Sequence, residues 1–242
     1  MKFQHIDTAR GIAILMVIMV HTSLHFVDFE WLSLFFVRYG QMGVQLFFVV
    51  SAFTLCLSAD RRSGEKRPVL NYAIRRYFRI APAYCMGILI YCIVDIIFYT
   101  RAAGELGMSQ SYTLGNILAN ATFIHGFVPM ANNSIVPGGW SIATEMTFYL
   151  FFPMLFIWLK QFIGTSWVKE GAAILIFVLF SYLIDWIFYA NWGKFIANNN
   201  FLYYHIFNQL PVFVAGIAYY CLWKGGKLDF PSSMTCCSSL SS

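Results

Sequence analysis

Charge is scarce in this chain. Only 11% of its 242 residues are Asp, Glu, Lys or Arg, against about 25% in soluble domains. So little charge cannot coat a water-facing globule, solvate a disordered coil or furnish the outer positions of a coiled coil. All three classes are excluded. Metal-type cysteine spacing is missing as well. Cys56, Cys85, Cys92, Cys221, Cys236 and Cys237 form no C-x-x-C pair and no Cys/His ligand set. A metal site and a disulfide framework are therefore not expected. No internal repeat of fixed period is visible, which withholds support from the paired halves of many transporters. The first apolar run is followed by no A-x-A cleavage site, so it reads as a retained helix and not a signal peptide.

What is present is apolar. Hydrophobic residues make up 59% and aromatic residues 19%, and the mean hydropathy is +0.64. These values point to an all-α, polytopic transmembrane helical bundle. A span takes about 20 apolar residues. The sequence predicts six, at residues 11–27, 42–58, 82–99, 141–159, 171–190 and 209–223. Residues 112–130 are only half apolar and hold Asn116, Asn120 and His125. They read as a non-spanning or re-entrant segment.

The net charge of +5 is explained by orientation. With the N-terminus inside, 13 of the 16 Lys and Arg fall on the cytoplasmic side, and only Arg38, Arg101 and Lys194 fall outside. That asymmetry obeys the positive-inside rule and puts both termini in the cytoplasm. Were 112–130 a further crossing, the split would drop to 9 against 7. No nucleic-acid partner is needed to account for the basic excess. Residues 1–227 read as one membrane domain. Residues 228–242, rich in Ser and Cys, read as an unstructured tail.

Three constellations carry chemistry. Arg10 and His21 are 11 residues apart, which puts them on one helical face about 16 Å apart along the axis. An ionisable residue inside a span is costly and suggests function. His25 lies one turn further on the same face, nearer the outer surface. The second is RRYFRIAPAY at 75–84, where Arg75, Arg76 and Arg79 can share one helical surface. Guanidinium forks suit phosphate, and a lipid-headgroup anchor suits the same pattern; spacing leaves both open. The run Arg61, Arg62, Lys66 and Arg67 reads as such an anchor. Pro82 is expected to mark a helix start or kink. The third is GGWSIATEMTFYLFFP at 138–153. There Ser141, Glu145 and Tyr149 form a polar stripe, and Pro153 frees the carbonyl of Tyr149. Glu145 wants a partner, and His21 and Arg10 are the candidates. Asp95 and Asp185 are expected to make helix–helix hydrogen bonds.

Arg10-x10-His21, GVQLFFVVSAF at 43–53, RRYFRIAPAY, GGWSIATEMTFYLFFP and, more weakly, NQLPVFVAGIAYY at 208–220 occur in this order. Together they resemble the acyltransferase-3 family of integral membrane O-acyltransferases, which modify bacterial lipopolysaccharide and exopolysaccharide sugars. Ala52 stands where the family usually has Gly. The resemblance implies transfer of an acyl group, acetyl above all, from cytoplasmic acyl-CoA to an envelope glycan or lipid-linked sugar. It implies no bound cofactor, and a bacterial inner (plasma) membrane location among membrane lipid. His21 would be the general base, Arg10 would stabilise phosphate or developing negative charge, and Glu145 would orient His21 or the acceptor. Arg75, Arg76 and Arg79 would hold CoA phosphates, with Trp140, Ser141 and Tyr149 on the acceptor side. Family members have more spans than the six counted here, so the chain is expected to be truncated at its C-terminus. Two rival readings stand beside this one. A transporter would also carry intramembrane His, Glu and Arg, and a truncated fragment would be inactive.

Overall fold

The computed structural model describes residues 4–23, 39–164, 166–196 and 200–226. His25, the end of the first predicted span (24–27) and the tail 228–242 lie outside the described residues. Helices make up the architecture, and no strand occurs among the described residues. In chain order they are α1 (Gln4–Ser23), α2 (Met42–Arg61), α3 (Pro68–Ala103), α4 (Leu114–Ala121), α5 (Gly139–Ile163), α6 (Trp167–Ile196), α7 (Phe201–Tyr204) and α8 (Ile206–Lys224). A 3-10 turn, Ile124–Phe127, follows α4.

Five helical stretches are long and apolar enough to cross a membrane: α2, α3, α5, Trp167–Gly193 of α6, and Phe201–Lys224 across α7 and α8. They match the five later predicted spans. The eight residues of α4 cover about 12 Å, far short of a hydrocarbon core of about 30 Å. Residues 112–130 are therefore no membrane-crossing helix.

α3 differs from expectation. It runs for 36 residues with Pro82 inside it, a length of about 54 Å, so Pro82 does not start the helix. The helix start is set by Pro68 in the first turn, where the missing N–H costs nothing and the fixed φ already suits a helix. A helix this long overshoots the bilayer. Its first turns, with Arg75, Arg76 and Arg79, form an extension of the same rod that holds the third span.

The core lies where α2, α5 and α8 meet. Phe213 of α8 stacks on Phe148 of α5 at 3.9 Å between ring centroids and on Phe48 of α2 at 4.5 Å. α2 and α8 come close because Gly216 faces α2, where a Cβ would collide with the Val49 carbonyl and with Ala52. Small residues at such a crossing let membrane helices pack backbone to backbone, and Ala52 is fully buried there. α1 lies on α2, and α6 on α8. The outer faces are apolar: Leu150 is 78% and Phe98 67% exposed. In a spanning protein these faces meet lipid tails, so their exposure costs nothing.

Candidate functional site

Glu145 sits two turns into α5 and is buried. Ser51 of α2 donates to its Oε1 at 2.7 Å, and the Tyr149 hydroxyl donates to the same oxygen. Both hydroxyls go to Oε1, and Glu145 borders a cavity of about 220 Å³. Ala13 and Val17 of α1, Phe47 and Phe48 of α2, and Ser141 of α5 line it with Glu145. The partner of Glu145 is thus neither His21 nor Arg10 but a pair of hydroxyls. α2 lies between, and its one polar side chain in the run FFVVSAF is Ser51. That lone hydroxyl was the signal available in the sequence.

Arg10 is engaged one turn further along α2. Its Nη2 donates to Thr54 Oγ1 at 2.8 Å, and Thr54 Oγ1 donates to the Ser51 carbonyl at 3.0 Å. Arg10, Thr54, Ser51, Glu145 and Tyr149 therefore form one continuous polar line across α1, α2 and α5. Tyr72 of α3 joins it by donating to the Tyr149 carbonyl at 3.3 Å. This is the carbonyl that Pro153, inside α5, leaves without its helical donor. His21 lies one turn beyond Val17 on α1 and is exposed.

The arginines of α3 divide. The Arg76 guanidinium stands 5.7 Å from the Tyr149 ring centroid and 5.9 Å from that of Tyr72. Arg79 and Arg76 lie within electrostatic range of Arg10 and repel it, while Asp7, at 3.8 Å, attracts it. Three guanidiniums thus gather, and the carboxylate that meets Arg10 is largely exposed. Arg75 turns away to Glu65 at 3.0 Å. Glu65 also accepts from Asn71 and Arg62, each at 3.1 Å. The Asn71 hydrogen bond, then that of Arg75, holds the Glu65 carboxyl below its usual range.

On the expected acceptor side, Trp140 stacks on Tyr204 at 4.6 Å, and Ser141 Oγ donates to the Gly138 carbonyl at 2.8 Å. Asp185 makes the helix–helix contact expected of it, accepting from His205 Nε2 at 2.8 Å and Asn208 Nδ2 at 2.9 Å. Asp95 does not: it accepts from the backbone N–H of Ser109 at 2.8 Å and ties down the loop after α3. Of the cysteines, Cys56 and Cys221 are buried, Cys92 is half-buried and Cys85 is exposed. Two buried histidines carried no assigned role in the sequence. His205 caps α8, its Nδ1 accepting from the Asn208 N–H at 3.2 Å. His125 packs beneath Tyr84.

The acyltransferase domain that defines the acyltransferase-3 family matches residues 3–240. No curated protein matches the chain. No solved structure matches it.

Proposed function

Because the chain belongs to the acyltransferase-3 family, and so is an integral membrane enzyme that transfers acyl groups other than aminoacyl groups, we propose that its donor is cytoplasmic acyl-CoA and its acceptor a sugar hydroxyl. The acyl group is acetyl in the simplest case. The acceptor belongs to a cell-envelope polysaccharide or lipid-linked sugar, and the membrane is the bacterial inner membrane. One observation carries the reading: Arg10, Arg76 and Arg79 gather at one end of a polar line that leads to a buried carboxylate beside a cavity. A site with surplus guanidinium charge suits the phosphates of CoA.

Arg10 and His21 are about 16 Å apart along α1, so one group cannot serve both phosphates and the reacting carbonyl. Arg10, Arg76 and Arg79 take the phosphates. Arg75 joins them only by giving up Glu65. The pantetheine arm runs along the α1–α2–α5 cavity toward His21. His21 removes the proton of the acceptor hydroxyl as its oxygen attacks the thioester carbonyl. The C–O bond forms, the tetrahedral intermediate collapses, the C–S bond breaks, and the thiolate leaves with the proton from His21. Glu145, with Oε1 already taken by two hydroxyls, offers Oε2 to orient the acceptor. Trp140 and Ser141 shape the acceptor side, while Tyr149, expected there, stands 5.7 Å from the Arg76 guanidinium at the donor end.

The test uses membranes carrying the full chain, labelled acetyl-CoA and the His21→Ala variant. Transfer to envelope glycan is expected to vanish while protein level and insertion stay unchanged. Transfer near the unaltered rate would remove His21 from the chemistry.

A further inference from the structure

A second cavity, about 520 Å³, shares no lining residue with the first, and its size is within the range of roughly 300–1,000 Å³ typical of small-molecule sites. It is cut between the end of α2, the turn that follows, the first turns of α3 and the second half of α5. Its floor is an aromatic stack: Tyr72 on Phe152 at 5.6 Å, and Phe152 on Phe156 at 5.4 Å. Val69 and Ile157 flank it and are 60% and 59% exposed, so the slot opens toward lipid. Arg62, Arg75 and Lys160 stand among its lining residues. The Lys160 ammonium lies 5.4 Å from the Phe156 ring centroid, at the junction of charge and floor.

The charges there do not cancel. Asp60 is shared by Lys160, at 2.9 Å, and Lys224. Glu65 is shared by Arg62, at 3.1 Å, and Arg75, at 3.0 Å. Two carboxylates thus serve four cations, which leaves two positive charges over. The positive-inside distribution reads this rim as cytoplasmic, where the leaflet is rich in anionic lipid.

We propose that this slot binds one anionic phospholipid. Its phosphate sits on Arg62, Arg75 and Lys160, and one acyl chain lies over Tyr72, Phe152 and Phe156. A singly charged phosphodiester matches a small positive surplus with two carboxylates still in place. The several phosphates of CoA match the Arg10, Arg76 and Arg79 group better, where three guanidiniums gather and the carboxylate that meets Arg10, Asp7, is 66% exposed. The proposal is independent of the acyl-transfer reading, because lipid retention is measured without turnover.

The test is native mass spectrometry of the full chain released from nanodiscs of phosphatidylglycerol or of phosphatidylcholine with the same chains. It compares the unaltered protein with an Arg62→Gln/Lys160→Gln variant. Asp60 keeps Lys224 and Tyr220 in that variant, and Glu65 keeps Arg75 and Asn71, so both carboxylates remain partnered. If the double variant does not fold, Lys160→Gln alone is used, and Ile157→Trp, which narrows the slot, tests the apolar half. The unaltered protein is expected to keep one phosphatidylglycerol in preference to phosphatidylcholine. The preference should fall about tenfold or more in the charge variants, and Ile157→Trp should lower retention. Acetyl-CoA affinity should stay unchanged throughout. Equal retention of the two lipids, undiminished retention by the variants, or equal competition by soluble glycerophosphate would overturn the proposal. So would a loss of acetyl-CoA affinity with lipid retention intact, which would make the slot a donor site.

Discussion

Glu145 and His125 are both buried ionisable groups packed into α5 or against it, yet their surroundings are built on opposite plans. His125 Nε2 lies 3.0 Å from the Tyr84 hydroxyl and 3.1 Å from the Gly139 carbonyl. The Tyr84 hydroxyl in turn donates to Asn120 Oδ1 at 2.8 Å, and Asn120 Nδ2 donates to the carbonyls of Asn116 and Ala131. These contacts pin the segment between α4 and α5 onto α3. Glu145 instead receives two hydroxyls on one oxygen and borders open space. The first arrangement uses polar groups to hold a shape. The second spends burial on a carboxylate that a substrate can still reach, and such a group is expected to matter for rate more than for stability.

The comparison breaks most visibly at Glu145→Gln. An amide oxygen still accepts from Ser51 and Tyr149, so the melting temperature of the detergent-solubilised protein should barely move. Transfer of labelled acetyl groups should fall by about 10² or more. A rate within a few-fold of the unaltered enzyme would erase the distinction between the two clusters. His125→Ala should do the reverse. It strips Tyr84 and the Gly139 carbonyl of a buried partner, at a cost of about 1–3 kcal/mol, read as a lower denaturation midpoint. The folded fraction should transfer acyl groups at close to the unaltered rate. A large loss of rate per folded molecule would make His125 part of the chemistry.

Much of this frame was legible in the sequence, for identifiable reasons. Span positions follow from apolar run length, and the short α4 follows from the polar residues at 112–130. The Pro153 argument located a carbonyl in need of a donor, and Tyr72 supplies it. The partner of Glu145 was not legible. Distance along a helix can be counted, but the neighbour that faces a side chain depends on packing, and α2 places Ser51 there. As a helix start, Pro82 misled for a similar reason. A proline forbids one hydrogen bond, whereas the extent of α3 is decided by its start at Pro68 and its apolar length. The convergence of Arg75, Arg76 and Arg79 followed from angular spacing alone, and Glu65 in the preceding turn draws Arg75 away from the other two.

Equilibrium titration of the purified full chain with acetyl-CoA and with acetyl-pantetheine, which lacks the nucleotide phosphates, tests the donor site most directly. The account predicts tighter binding of acetyl-CoA, and a loss of about tenfold in that preference for Arg79→Lys, because a point charge cannot reproduce a guanidinium fork. Equal affinity for the two compounds, or an unchanged preference in Arg79→Lys, would contradict the claim that the gathered arginines hold the donor's phosphates.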